Sequence, residues 1–172
     1  MSEPEVEIYT DGACAPNPGV GGWGAILIAR RPKKGRRKLS GAEPRSTNNR
    51  MELTAAIEAL RALKRPCRVR LTTDSNYLRQ AFTDGWLKKW RRNGWRTSAK
   101  KAVLNEDLWR ELIELNEKHK IEWRWVRGHA NNPLNEECDR LAVGAREELE
   151  RKMRKGEARD FGSQIGKERT QP

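Results

Sequence analysis

Three short runs near the start of the chain are typical of β-strands, and in the first of them apolar and polar residues alternate as in a half-buried strand. The runs lie at Val6–Thr10, Gly22–Arg30 and Lys38–Ala42. Between the second and third runs, a Pro and a Gly stand close together and predict the tip of a hairpin. The sequence therefore predicts an antiparallel meander of three strands.

A helical period replaces this alternation in the segment 46–64, where alanines recur on one face and allow a neighbour to approach closely. Either Asn48 or Asn49 is predicted to cap this helix, and the Arg65-Pro66 step is predicted to end it. The later predicted elements are a strand at 68–74, helices at 75–85 and 105–119, a strand at 120–128 and a helix at 132–154.

Strands that alternate with helices after a meander are typical of an α/β domain with a mixed sheet. We therefore predict one α/β domain over residues 1–150, with a five-stranded mixed sheet (three antiparallel strands, then parallel ones) flanked by helices. The composition changes from about Lys155, so residues 151–172 are expected to form a charged, disordered tail. No signal peptide or membrane span is predicted, and the expected location is cytoplasmic.

The charge of the chain is strongly positive and unevenly distributed. Lys and Arg number 36 against 24 Asp and Glu, which gives a net charge of +12. Residues 30–38 and residues 85–105 each hold seven cations and no acid. Two basic patches on an otherwise nearly neutral domain indicate a polyanionic partner. The patch at 30–38 either widens the binding surface or only adds solubility.

The second basic patch combines its cations with tryptophans. Trp86 and Trp90 are four residues apart and share one face of a helix, and Trp95 follows them. Aromatic rings among cations suit contact with sugars or bases beside phosphates. The alternative is that the rings anchor this segment to the body of the protein, and the sequence leaves both explanations open.

Four acidic residues stand at the ends of predicted elements or inside apolar patterns: Asp11, Glu52, Asp74 and Asp139. Each has a local explanation. Asp11 could belong to a turn, and Glu52 could form a capping box with Asn49. Asp74 could cap a helix, and Asp139 could form a surface ion pair.

The four acids also have a joint explanation. Adjacent strands and the helices packed on them can bring distant acids together, and four adjacent carboxylates cannot all stay ionised without a cation. Oxygen ligands select hard ions, so Mg²⁺ or Mn²⁺ is expected. Periodicity alone does not show that the four residues converge.

Five blocks of the sequence resemble, in order, type 1 ribonuclease H in its bacterial ribonuclease HI form. They are YTDGACAPNPGVGGWGA, TNNRMELTAAIEAL, TTDSNYL, GWLKKWRRNGW and WVRGHANNPLNEECDRLA, and they run from about Glu5 to Ala145. Five ordered blocks with an acid at each expected place are highly specific. The resemblance implies the ribonuclease H fold and cleavage of the RNA strand of an RNA–DNA hybrid, with 5′-phosphate and 3′-hydroxyl products.

The resemblance also implies roles for individual residues. It implies that two Mg²⁺ ions, for which Mn²⁺ can substitute, are held by Asp11, Glu52, Asp74 and Asp139, and that His129 assists proton transfer or product release. The residues implied to contact the RNA minor groove and its 2′-hydroxyls are Asn17, Asn48, Asn49 and Asn76. Those implied to form a pocket for a DNA phosphate are Arg45, Thr47 and Asn105. Those of the implied basic handle are Trp86, Lys88, Lys89, Trp90, Arg91, Arg92, Trp95, Arg96, Lys100 and Lys101.

Two rival functions stay open beside a monomeric ribonuclease H. A non-catalytic protein that binds hybrids or duplexes would share the basic patches but would not need the four acids. Another nuclease of the ribonuclease H-like superfamily, such as a junction resolvase, would share the fold, although the handle argues against a resolvase. The sequence departs from the family pattern at Asn93, which stands in the handle where a cation is usual.

Overall fold

The computed structural model of the protein describes residues 3–128 and 131–168, with side chains as far as residue 156. The described residues form five strands and five helices. The strands are β1 (Glu5–Ala15), β2 (Gly19–Arg31), β3 (Gly35–Ser46), β4 (Arg68–Thr73) and β5 (Lys120–Trp125). The helices are α1 (Asn48–Arg61), α2 (Asn76–Thr83), α3 (Trp86–Arg92), α4 (Glu106–Lys118) and α5 (Pro133–Glu168).

The strands form one mixed sheet in the order β3-β2-β1-β4-β5. The first three strands pair antiparallel, and β4 pairs parallel with both β1 and β5. The predicted fold class is therefore confirmed. Strand β1 is longer than predicted, because its pairing with β2 continues to Ala15 opposite Val20. Asp11 consequently lies inside a strand and not in a turn.

Helix α1 packs on one face of the sheet, and α5 packs across β1, β2 and β3. The core beneath α1 contains Ile8, Leu53, Ile57 and Leu71, and Trp109 of α4 joins it, all with at most 1% of their surface exposed. Burying each such aliphatic side chain contributes about 1.5–3 kcal/mol to folding.

Thr47 caps helix α1, which corrects the prediction that Asn48 or Asn49 would do so. Thr47 has extended backbone, and its side chain accepts a hydrogen bond from the N–H of Arg50 at 3.1 Å. The side chains of Asn48 and Asn49 are exposed and do not serve as the cap. The helix ends at Arg61, four residues before the predicted stop.

Two glycines of β2 let helix α5 approach the sheet closely. A Cβ atom added at Gly24 would lie 2.6 Å from the carbonyl oxygen of Cys138, and one added at Gly22 would collide with the carbonyl oxygen of Ala142. The Cys138 thiol in turn donates to the carbonyl oxygen of Tyr9 at 3.2 Å. This contact of backbone against backbone fixes the height of α5 above the sheet.

Helix α5 is longer than predicted. Its helical backbone continues through Glu168, whereas the sequence predicted a disordered tail over 151–172. Within the described side chains, Arg146 pairs with Glu150 one turn later, and such pairs support an exposed helix. Residues 169–172 lie outside the described part of the chain. None of the described helices is both long and apolar enough to cross a membrane.

We expect Gly24→Ala to destabilise the protein by about 1–3 kcal/mol, because the added methyl forces α5 away from β2. Gly144→Ala is the matched control: Gly144 lies in α5 with open space around it, so alanine should stabilise the helix by roughly 0.5–1 kcal/mol. Urea unfolding measures both. Equal stabilities for Gly24→Ala and the unsubstituted protein would contradict the close contact.

Candidate functional site

Asp11, Glu52 and Asp74 meet at one point, although they come from three separate elements. One ligand atom from each lies within 4.8 Å of the others. Gly12 makes this meeting between β1 and α1 feasible, since a Cβ atom there would lie 2.6 Å from the backbone nitrogen of Glu52. The first turn of α1 therefore sits directly against β1.

Asp74 reaches the same point because β4 runs parallel to β1, with Thr72 opposite Tyr9. Asp74 follows the last residue of β4, so the two strands bring their acids to one end of the sheet. The explanation of Asp74 as a helix cap is wrong, since Ser75 caps α2 by accepting from the N–H of Leu78 at 3.2 Å.

Glu52 is not part of a capping box either. The cap of α1 is Thr47 and not Asn49, and Glu52 is only 9% exposed. Its Oε2 atom is buried and has no hydrogen-bond partner among the described residues. A buried carboxylate oxygen without a partner is costly unless a cation binds it.

Burial and mutual repulsion raise the proton affinity of this carboxylate cluster. Burial, and after it the charge of Asp74, raises the pKa of Asp11 to about 7. Burial, followed by the charges of Asp11 and Asp74, raises the pKa of Glu52 well above its ordinary value. The N–H of Gly12 donates to Oδ1 of Asp11 at 2.9 Å and partly opposes the shift.

The three residues fit a hard divalent cation. They supply oxygen ligands only, which favour Mg²⁺ or Mn²⁺ over softer metals. A cation at this point would satisfy the orphaned Glu52 oxygen and remove the repulsion that raises the pKa of Asp11.

Asp139 borders the same site from helix α5. It is half-buried and lines a cleft of about 490 Å³ together with the other three acids. Its charge adds to the raised pKa of Asp11. Among the residues that the structure describes, the group within 4.8 Å consists of the other three acids. The structure thus brings three of the predicted carboxylates together and places the fourth at the edge of their cleft.

The asparagines predicted to contact RNA surround this cleft. Asn48, Asn49 and Asn76 line it beside the acids. Asn17 lies next to them, because its Oδ1 accepts the backbone N–H of Asn48 at 3.2 Å. Exposed amides that both donate and accept are suited to reading a hydroxyl group.

Two of the three residues predicted to bind a DNA phosphate, Thr47 and Asn105, are linked through Arg50, which the sequence did not single out. Arg50 donates to Oδ1 of Asn105 at 3.1 Å, and its own backbone N–H donates to Thr47. Arg50 also pairs with Asp107 at 3.0 Å. Arg45 lies exposed near the end of β3.

Tyr77 is a second residue that the sequence did not reveal. It lines the cleft, and its hydroxyl oxygen accepts from Nδ2 of Asn105 at 3.2 Å and from the indole N–H of Trp109 at 3.0 Å. Its ring packs against Trp86 with a centroid distance of 6.4 Å. Tyr77 therefore connects the cleft to the basic segment 85–105.

The tryptophans of segment 85–105, which we term the handle, mainly anchor it. Trp90 packs against Trp86, Trp95 and Trp109 with centroid distances of 5.7–6.1 Å. Trp95 is only 6% exposed, and Arg110 lies 4.7 Å from its ring centroid. Of the two explanations that the sequence left open, anchoring therefore describes Trp95, which belongs to the core.

The cations of the handle remain on its surface. The exposed ones are Lys88, Lys89, Arg91, Arg92, Arg96, Lys100 and Lys101. Asn93, where the family pattern has a cation, closes the turn that follows α3. Its Oδ1 accepts from the N–H of Arg96 at 3.1 Å, and its Nδ2 donates to the Arg96 carbonyl oxygen at 2.8 Å.

The tip of the basic hairpin at 30–38 lies away from the cleft, whereas Lys38 lies level with Tyr9 through Ile26 of β2. Arg31 is opposite Glu5 at the start of β1, and six residues of strand separate that level from Asp11, or about 20 Å. Part of its charge is also paired, since Arg36 and Lys38 contact Glu137 of α5. His129, the predicted proton-transfer residue, lies outside the described residues.

Comparisons with known proteins agree with this geometry. The sequence model of the RNase H family matches residues 3–147. Ribonuclease H of Moorella thermoacetica is 59% identical over 141 residues, which cover 82% of this chain and 91% of that protein. Ribonuclease H of Halorhodospira halophila is 57% identical over 144 residues, covering 84% and 94%.

Solved structures show the same fold. The crystal structure of LC9-RNase H1, a type 1 RNase H with the type 2 active-site motif, superposes with a TM-score of 0.76 at 38% identity and covers 85% of this chain and 74% of that one. That of LC11-RNase H1 in complex with RNA/DNA hybrid has a TM-score of 0.63 at 18% identity, covers 84% and 98%, and bears on the fold alone.

We expect Asp11→Asn to stabilise the metal-free protein at neutral and alkaline pH. The pKa of Asp11 in the folded protein, about 7, exceeds its ordinary value of 3.8, so folding stability is lost as the pH rises from about 4 to above 7. Each pKa unit is worth about 1.4 kcal/mol, and removing the charge should recover a few kcal/mol at most. Urea unfolding in EDTA at pH 5 and pH 8 measures this. A difference between the proteins that does not grow with pH would contradict the repulsion.

Proposed function

Because the chain belongs to the ribonuclease H family, we propose that it hydrolyses the RNA strand of RNA–DNA hybrids with two bound Mg²⁺ ions and leaves 5′-phosphate and 3′-hydroxyl ends. The observation that carries this proposal is the meeting of Asp11, Glu52 and Asp74 within 4.8 Å, with a buried Glu52 oxygen that has no partner among the described residues.

The proposed chemistry divides between the ions and the protein. When bound, a pair of Mg²⁺ ions would activate a water molecule and stabilise the oxygen that leaves. Asp11, Glu52 and Asp74 would hold the ions, and Asp139 would complete the set from the edge of the cleft. No covalent intermediate with the protein is needed. We propose that His129 assists proton transfer or product release.

Selectivity for a hybrid would arise on either side of the cleft. Asn48, Asn49 and Asn76 line the cleft, and in this proposal they would contact 2′-hydroxyls of the RNA strand. Thr47 and Asn105, linked by Arg50, would bind a phosphate of the DNA strand. The exposed cations of the handle would contact the hybrid beyond the cut. Such contacts read backbone and shape, so we expect little sequence preference.

Cleavage of a labelled hybrid tests the proposal. We expect Mg²⁺-dependent cleavage of the RNA strand, no cleavage in EDTA, and no cleavage of double-stranded DNA or double-stranded RNA. Glu52→Gln should lower the rate by about 10²–10³, the loss typical of removing a group placed to stabilise reaction charge. Retained hybrid binding by this variant would show that only chemistry is lost. Unchanged behaviour would favour the non-catalytic binding protein.

We expect the handle to set the salt dependence of hybrid binding. Replacing Lys88 and Lys89 by Gln should flatten the plot of log K against log salt by roughly one to two units, because each phosphate contact contributes about 0.9. Replacing Lys64 and Arg65, which are exposed beyond the far end of α1, is the charge-matched control. Fluorescence anisotropy with a labelled hybrid measures both slopes. Equal slopes for the two double variants would argue against the handle as a binding surface.

The monomeric state and the cytoplasmic location stay predictions. Light scattering of the purified protein and fractionation of cells would test them.

A further inference from the structure

Trp125, the last residue of β5, makes a contact that the proposed chemistry does not use. Its indole N–H donates to the backbone carbonyl oxygen of Asp74 at 3.2 Å. Its side chain is 38% exposed. Single exposed apolar residues are ordinary on protein surfaces, so the significance lies in this hydrogen bond and not in the exposure.

The segment that follows Trp125 also lies against Asp74. The N–H of Val126 donates to the carbonyl oxygen of Thr73 at 3.0 Å. At Gly128, an added Cβ atom would lie 3.2 Å from Oδ2 of Asp74. Two hydrogen bonds and the close approach of Gly128 therefore hold residues 125–128 against the segment that carries the Asp74 carboxylate.

Arg79 of α2 holds the ring of Trp125 from another side. Its guanidinium carbon lies 4.6 Å from the ring centroid, a cation–π contact. Helix α2 begins directly after Asp74 and Ser75. The ring of Trp125 is thus fixed both by the backbone of Asp74 and by the helix that follows it.

We propose that Trp125 is a positioning residue for the metal site: its indole N–H sets the backbone of Asp74, and through it the direction of the Asp74 carboxylate. The proposal rests on the proposed function, in which Asp74 is a metal ligand. The same contact anchors residues 125–128, so the orientation of Asp74 and the position of these four residues are set together.

Trp125→Phe tests the proposal, because phenylalanine keeps an aromatic ring over Arg79 but removes the N–H donor. Trp123→Phe is the matched control. Trp123 lies two residues earlier on the same strand, and its indole N–H donates to Asn116 at 3.0 Å, away from the carboxylates. Both variants lose one indole hydrogen bond, and only one of these bonds reaches Asp74.

Calorimetric titration of the full chain with Mn²⁺ gives a readout that is independent of cleavage. We expect Trp125→Phe to weaken Mn²⁺ binding about tenfold, the lower end of the range for residues that orient a metal ligand, and Trp123→Phe to bind as the unsubstituted protein does. In hybrid cleavage, we expect Trp125→Phe to have a lower kcat than the unsubstituted protein at limiting Mg²⁺. This kcat should return to the unsubstituted value as the Mg²⁺ concentration is raised, and KM for the hybrid should not change. Equal Mn²⁺ affinity in Trp125→Phe and Trp123→Phe would overturn the proposal.

Asp74→Asn distinguishes a failure of this proposal from a failure of the proposed metal site. If Asp74→Asn binds Mn²⁺ as the unsubstituted protein does, the assignment of Asp74 as a metal ligand is wrong. If Asp74→Asn loses binding while Trp125→Phe does not, only the positioning role fails.

An NMR titration of the unsubstituted protein needs no variant to fold at full stability. The indole N–H resonance of Trp125, assigned by its absence from the Trp125→Phe spectrum, should shift with Mg²⁺ at the midpoint found for the metal site, while that of Trp123 stays in place. A Trp125 resonance that does not respond to Mg²⁺ would also overturn the proposal.

Discussion

Three carboxylates held within 4.8 Å of one another repel, and the fold must keep them together against that repulsion. The means are close contacts of backbone against backbone. Gly12 lets the first turn of α1 rest on β1, and Gly24 lets α5 rest on β2. The parallel pairing of β1 with β4 brings Asp74 level with Asp11. Burial of the hydrophobic core contributes the free energy of folding that offsets this repulsion.

The acids of the cleft and the asparagines around them differ in exposure. The acids are buried or half-buried, whereas the asparagines around them are exposed. Tyr77 and Arg50 join the two sets, since their hydrogen bonds connect α1, α2 and the start of α4. A polar network of this kind keeps its members in fixed relative positions when every bond is made. It joins side chains from three separate helical segments into one connected set.

Much of the fold could be predicted from the sequence. The alternation in the meander, the helical period of α1 and the order of later elements gave the sheet correctly, and the resemblance to type 1 ribonuclease H is confirmed. Strand ends were less predictable, because β1 continues past Asp11 through pairing with β2, and pairing is not a local property. The cap of α1 was misassigned by one residue among three neighbouring residues that can all serve as caps.

The candidate site was predicted less completely. The acids stood out because each interrupts an apolar pattern, but their convergence depends on the sheet order. No local pattern pointed to Arg50, Tyr77 or Trp125, because each makes its hydrogen bond to a residue distant in the sequence. The partner is 55 positions away for Arg50, 51 for Trp125 and 28 for Tyr77. The length of α5 was also missed, because a composition with little to bury resembles that of a disordered segment.

The aromatic cluster beneath the handle has a consequence for how this protein can change over generations. Trp90 and Trp95 secure the handle from below, while the lysines and arginines above them are exposed. Most of these cations can therefore be exchanged without endangering the fold. Natural variation can therefore change the positive charge of this surface one position at a time, and so adapt it to the salinity of a cell, while the inherited scaffold stays intact.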